Sequence, residues 1–125
     1  KKLYKTDFTF ADGKSASVFS SYDKSTVNVH FRWMKEYGLD GVFMQRFIAE
    51  IRNESGLQHF NKVLNSAMKA ANKYERAICV MYDLSGMQPG EEKLLLKDIA
   101  EIAQRHSLKN HHLLKAYSSL LNHLL

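Results

Sequence analysis

Two short apolar runs, each preceded by a helical pattern, constrain the fold of this chain most strongly. The runs occupy residues 42–44 and 77–81. Both give way to polar residues, namely Gln45, Arg46, Tyr82 and Asp83. Runs that are apolar at every position are typical of strands in a parallel sheet that helices cover on both faces. The runs begin about 35 residues apart, close to the ~30 residues per unit that a (β/α)8 barrel implies.

Helices are predicted before, between and after these strands. The first extends from Ser25 to the stop at Gly38, because Gly adopts the left-handed conformation that often ends a helix. The second begins near Asn53 or Ser55, and the third has Glu91 and Glu92 in its first turn. Their apolar stripes are Val27, Phe31 and Met34, then Phe60, Val63, Leu64, Ala67, Ala71 and Tyr74, then Leu95, Ile99 and Ile102. Ahead of them, residues 8–10 and 17–19 flank Asp12-Gly13, which favours a β-hairpin.

The fold class predicted from this order is α/β, with about two to three β/α units of an incomplete (β/α)8 barrel. A complete barrel needs ~250 residues, and the chain has 125. We expect the barrel-like domain to cover residues 1–104. Residues 105–125 offer no further strand and predict a divergent helical tail with a wide stripe of Leu and Tyr.

Ligands of parallel α/β proteins bind at the carboxyl edge of the sheet, so the polar strand ends are the candidate substrate-binding residues. Arg46 offers a planar fork of donors, Asp83 can accept hydrogen bonds from vicinal hydroxyls, and Tyr82 can stack on a sugar ring. A structural alternative is that Arg46 and Asp83 simply pair across neighbouring strands. Asp40 lies at the opposite, amino end of its strand, where a stabilising role is expected. Glu50 and Glu54 are expected in the loop that follows.

Other kinds of site find little support in the sequence. Cys79 lies in the middle of a strand, and no glycine-rich phosphate loop or Cys-x-x-Cys spacing occurs. Adjacent His111 and His112 would point about 100° apart on a helix, so they cannot both bind one metal ion. We expect no metal site and no cofactor. The net charge of +5 is spread along the chain, which argues against nucleic acid as a partner. No run approaches the ~20 apolar residues of a membrane span, and no signal peptide is visible.

Four stretches of the chain resemble bacterial proteins related to glycoside hydrolase families 71 and 99, which include xylosidase/arabinosidase-like proteins. They cover residues 22–27, 33–47, 59–64 and 81–87. The most specific pieces are Asp40-Gly41-Val42-Phe43-Met44-Gln45-Arg46-Phe47 and Tyr82-Asp83-Leu84-Ser85-Gly86.

The resemblance implies a (β/α)8 barrel that acts on α-linked glycans, with Gln45, Arg46, Tyr82 and Asp83 lining the early part of its cleft. It also implies a parent protein of the cell envelope or a secreted one. The Glu-rich catalytic motif and the Trp-Gly pair of such barrels are not found in this chain, and a first strand rich in Gly, Tyr and Trp would precede Lys1. The sequence therefore predicts the amino-terminal fragment of a glycoside hydrolase-like protein that is inactive alone and contributes no catalytic residue.

The alternative is a small α/β interaction module that self-associates through its tail. Its Leu-rich helical stripe would need a partner surface. The residues expected to make that contact are Leu113, Tyr117, Leu120 and Leu124.

Overall fold

The computed structural model describes residues 2–106, and the predicted contacts of the tail stripe lie outside this range. The described chain is a mixed α/β structure of two two-stranded sheets and four helices. The elements are β1 (Tyr4–Thr9), β2 (Ser15–Val18), α1 (Lys24–Glu36), β3 (Gly41–Phe47), α2 (Ile48–Ile51), α3 (Glu54–Tyr74), β4 (Ala77–Asp83) and α4 (Glu92–Arg105). The chain divides into two compact units between Asp83 and Leu84.

The amino-terminal segment is the expected β-hairpin. Strands β1 and β2 are antiparallel, with an irregular register between Lys5 and Thr9. Gly13 has a φ of 79°, a left-handed conformation that suits the Asp-Gly turn. In the same turn, the Asp12 carboxylate accepts a hydrogen bond from the Lys14 backbone N–H and pairs with the Lys14 ammonium. The lysine holds the pKa of Asp12 below its usual value.

Strands β3 and β4 form the parallel pair that the two apolar runs predict. Helix α3 connects them and packs against both strands, which makes a β-α-β unit. The register pairs Gly41 with Ala77 and Phe47 with Asp83, so the strands start and end at the same levels. At Gly41 an added Cβ atom would overlap the Ala77 carbonyl group. Only glycine therefore allows this close approach at the amino edge of the sheet.

The core of the first unit lies between α1, α3 and one face of this sheet. Its fully buried members are Val27 and Phe31 of α1 with Ala67, Ala70 and Ala71 of α3. Partly buried Met34, Val42, Met44, Tyr74 and Ile78 pack around them. Small alanine side chains on α3 let α1 approach it closely. This core confirms the predicted stripe of α1 and the second half of the stripe predicted for α3.

The opposite face of the β3–β4 sheet is open in the described structure. Phe43 is 72% exposed, and Phe47 and Met81 on the same face are also exposed. The helices of the first unit pack on the other face, so helix cover on both faces stays a prediction for this pair. In the first unit one face of the strands packs on helices, and the other carries the aromatic and sulfur-containing side chains.

The second unit begins at Leu84. Turns precede helix α4, with Gly86 and Gly90 both at positive φ. The Glu91 carboxylate accepts a hydrogen bond from the Gln88 backbone N–H just before the helix starts. Leu95, Asp98 and Ile102 are buried, whereas the predicted stripe member Ile99 is only half-buried. Helix α4 otherwise spans the residues that the sequence predicts.

Candidate functional site

The polar ends of the two apolar runs meet at the carboxyl edge of the β3–β4 sheet. They are the last residues of the strands themselves, since β3 continues to Phe47 and β4 to Asp83. The register aligns Arg46 with Tyr82 and Gln45 with Met81. The prediction that the four candidate residues share one edge of a parallel sheet is therefore confirmed.

Strand alternation divides the four residues into two pairs. Gln45 and Asp83 follow the open face together with Phe43, Phe47 and Met81. Arg46 and Tyr82 follow the face that packs on the helices, where Arg46 is only 2% exposed. The structure thus places an amide and a carboxylate on one side of the sheet and a guanidinium and a phenol on the other.

Gln45 and Asp83 are joined directly across the strands. The Gln45 amide nitrogen Nε2 donates a hydrogen bond of 2.6 Å to Oδ2 of Asp83. A carboxylate has about four acceptor positions, and this bond orients the group at the end of β4. The pair therefore presents acceptors and an amide carbonyl together at the sheet edge, which is suitable for binding hydroxyl groups.

Arg46 is held on the helix side of β3 by helix α3. Its Nη2 donates a 2.9 Å hydrogen bond to Oδ1 of Asn61, and its guanidinium carbon lies 5.9 Å from the centre of the Phe60 ring. A charge this deeply buried needs such polar and π contacts to offset the loss of hydration. The structural alternative drawn from the sequence, that Arg46 pairs with Asp83 across neighbouring strands, stays a prediction.

A cavity of about 570 Å³ opens beside Arg46, between β3, α2 and the amino-terminal half of α3. Its volume lies within the range of small-molecule sites, roughly 300–1,000 Å³. The polar residues that line it are Ser21, Gln45, Arg46, Glu50 and His59. The remaining lining is apolar: Met44, Phe47, Phe60, Val63, Leu64 and Val80. Among the four predicted residues, Gln45 and Arg46 reach this cavity.

The structure adds residues that the strand-end argument did not select. Glu50, expected in a loop, lies in the short helix α2, and Glu54 lies in the first turn of α3. His59 and Asn61 come from α3, where a sequence pattern treats polar positions as solvent-facing. The only signal for them is that both fall in the stretch 59–64 of the family resemblance.

Within the described residues, no group of three or more His, Cys, Asp or Glu side chains is arranged to hold a metal ion. No helix in that part of the chain is both long enough and apolar enough to cross a bilayer. Cys79 is partly buried in the middle of β4, as expected from its apolar surroundings.

Comparisons with known proteins leave the family open. No family model matches the chain, and neither the curated proteins nor the solved structures give a significant match.

Proposed function

We propose that this chain is part of a glycoside hydrolase-like barrel and binds α-linked glycans at the carboxyl edge of its parallel sheet. The observation that carries the proposal is the hydrogen-bonded Gln45–Asp83 pair at the end of two adjacent parallel strands. In (β/α)8 barrels this edge is where substrates bind, and the residues that contact them come from successive strand ends.

The two faces of the sheet support the same assignment. A β-α-β unit of a barrel packs helices on one face and turns the other toward the barrel interior. Here α1 and α3 cover one face, and the open face carries apolar Phe43, Phe47 and Met81 below the polar pair. Further strands of a barrel would bury these side chains and leave Gln45 and Asp83 at the rim.

The chemistry of the edge is that of binding, and we propose no cleavage by this chain alone. Glycoside hydrolysis generally uses two carboxyl groups that flank the scissile bond. On the open face the described strands contribute one carboxylate, Asp83, and it is held by Gln45. In this proposal the other catalytic groups belong to further strands of the parent protein.

The test is a titration of the isotopically labelled chain with α-linked oligosaccharides, followed by backbone amide NMR. We expect chemical-shift changes centred on residues 45–47 and 82–83. Asp83→Asn should weaken binding about tenfold, because a hydrogen bond to a charged acceptor is worth roughly 1.5–3 kcal/mol and tenfold corresponds to about 1.4 kcal/mol.

Asp40→Asn is the matched control. Asp40 is an exposed carboxylate that immediately precedes β3, at the opposite edge of the same sheet. This variant should bind as the unaltered chain does. Absence of saccharide binding, or equal loss in both variants, would contradict the proposal.

A further inference from the structure

A second, shallower groove lies on the first unit between the hairpin and the start of α3. Its volume is about 630 Å³. Tyr4, Phe19 and Tyr22 supply three aromatic rings, and Ser20, Ser55 and Gln58 supply hydroxyl and amide groups. His59 also lines it, and the same histidine lines the cavity beside Arg46. The groove and the cavity beside Arg46 are therefore neighbours, with His59 at both.

No Asp, Glu, Lys or Arg is among the residues that line this groove, and the two charged groups beside it, Lys62 and Asp23, are engaged with Tyr22 and Tyr4. Aromatic faces carry a partial negative charge that attracts the C–H groups of a sugar ring. Serine and glutamine side chains both donate and accept hydrogen bonds, as sugar hydroxyls do. A groove whose lining residues carry these groups, and whose neighbouring ammonium and carboxylate are already engaged, suits a neutral sugar better than a phosphate, a peptide of high charge or a nucleic acid.

The Tyr22 ring is fixed in place by helix α3. It stacks on the imidazole of His59, with ring centres 5.0 Å apart and an interplanar angle of 18°. The Lys62 ammonium lies 3.4 Å from the centre of the same ring, a cation–π contact. His59 and Lys62 are nearly one turn apart on α3, and Tyr22 as a residue is still 42% exposed. The ring is thus pre-positioned beside the groove.

Tyr4 ties the hairpin to the same region. Its hydroxyl donates a 2.9 Å hydrogen bond to Oδ2 of Asp23, the residue that precedes α1. This bond holds the hairpin wall of the groove against the wall that Tyr22 and α3 form. Both walls belong to one compact unit, so the groove does not depend on the placement of the second unit.

We infer that this groove is an extension subsite that takes a neutral pyranose unit of a longer glycan, with Tyr22 as its stacking residue. The inference rests on the proposed function, because it assumes that a glycan occupies the adjacent strand-end site. The inference goes beyond the proposed function because it assigns recognition of glycan chain length to the hairpin and α3, away from the strand ends.

The experiment compares affinities for α-linked gluco- and manno-oligosaccharides from monosaccharide to tetrasaccharide, measured by NMR titration. Tyr22→Ala should weaken tetrasaccharide binding about fivefold or more, since the stacking ring is lost, and leave monosaccharide binding unchanged. Tyr22→Phe keeps the ring and should bind as the unaltered chain does. Tyr37→Ala is the control, because Tyr37 is an exposed tyrosine that lines neither cavity.

The outcomes separate the two proposals. If saccharides bind and Asp83→Asn weakens them, but Tyr22→Ala binds the tetrasaccharide normally, the extension subsite is wrong and the proposed function stands. If Tyr22→Ala weakens all chain lengths equally, Tyr22 does not read chain length and the inference also fails. If no saccharide binds the unaltered chain, both proposals fall.

Discussion

At the scale of the residue, Glu75 makes two opposing contributions to the stability of the fold. It ends α3 with a φ of 55°, a left-handed conformation that glycine adopts more readily than any other residue. Its Oε2 accepts a 2.7 Å hydrogen bond from the Lys35 ammonium of α1. Lys35, more than the neighbouring Arg76, holds the pKa of Glu75 below its usual value of 4.5. The ion pair therefore offsets part of the backbone strain at the helix end.

Two substitutions at this position should have unequal effects. Glu75→Gln removes the ion pair and keeps the strained backbone, so its melting temperature should fall slightly. Glu75→Gly also removes the ion pair but relieves the strain, so it should melt several degrees above Glu75→Gln. Thermal unfolding monitored by circular dichroism makes the comparison. Equal melting temperatures for the two variants would show that the left-handed conformation costs nothing here.

The same carboxylate predicts a pH dependence. Because its pKa is lower in the folded chain than in the unfolded chain, the ion pair stabilises the fold fully above pH 4.5. This stabilisation is lost as the pH falls through the lowered pKa. The difference in melting temperature between the unaltered chain and Glu75→Gln should thus be present at neutral pH and vanish in strong acid. It should also shrink in high salt, because both side chains are exposed.

At the scale of the element, the packing of α1 on α3 depends on small residues. Ala67, Ala70 and Ala71 are all at most 3% exposed and face Val27 and Phe31. An alanine stripe leaves no space between the helices for a longer side chain. The helix propensity of α3 alone would accept leucine anywhere along it, so the restriction comes from the contact.

Ala67→Leu should destabilise the chain by about 1–3 kcal/mol through overpacking of the α1–α3 contact. Chemical denaturation followed by far-UV circular dichroism measures the change. Lys69→Leu is the matched control, since Lys69 lies on the same helix at an exposed position. The prediction fails if both leucine variants unfold at the same denaturant concentration.

At the scale of the whole molecule, the open face of the β3–β4 sheet bears on the proposal that the chain is part of a barrel. Phe43, Phe47 and Met81 form an apolar surface where a parallel sheet is normally covered. The strands are also paired only with each other within the described residues. Both features agree with the proposal that this sheet is one section of a larger barrel.

Phe43→Ser should reduce binding of the hydrophobic dye ANS and leave the melting temperature nearly unchanged, because Phe43 is exposed. Phe8→Ser provides the comparison. Phe8 is exposed to a similar extent, 76% against 72% for Phe43, but lies on the hairpin and away from this face. A larger loss of dye binding in the Phe8 variant would contradict a continuous apolar surface on the sheet.

The sequence by itself determined the elements and their order, apart from the short helix α2. The two apolar runs, the helical stripes and the Asp-Gly turn specify local structure through side-chain period and backbone conformation, and these act over a few neighbouring residues. The predicted placement of residues 45–46 and 82–83 at one edge also follows from the sequence, because parallel strands of similar length start and end together.

Only the tertiary structure decided which side of the sheet each candidate residue occupies and what it contacts. A run that is apolar throughout does not reveal which face is covered. The placement of Gln45 and Asp83 on one face, and of Arg46 and Tyr82 on the other, therefore could not be predicted from the sequence. The contact of Arg46 with Asn61 and the stacking of Tyr22 on His59 join residues that are distant in sequence. Such contacts depend on how α3 packs against the strands and the hairpin. A local sequence pattern acts over a few neighbouring residues and does not specify that packing.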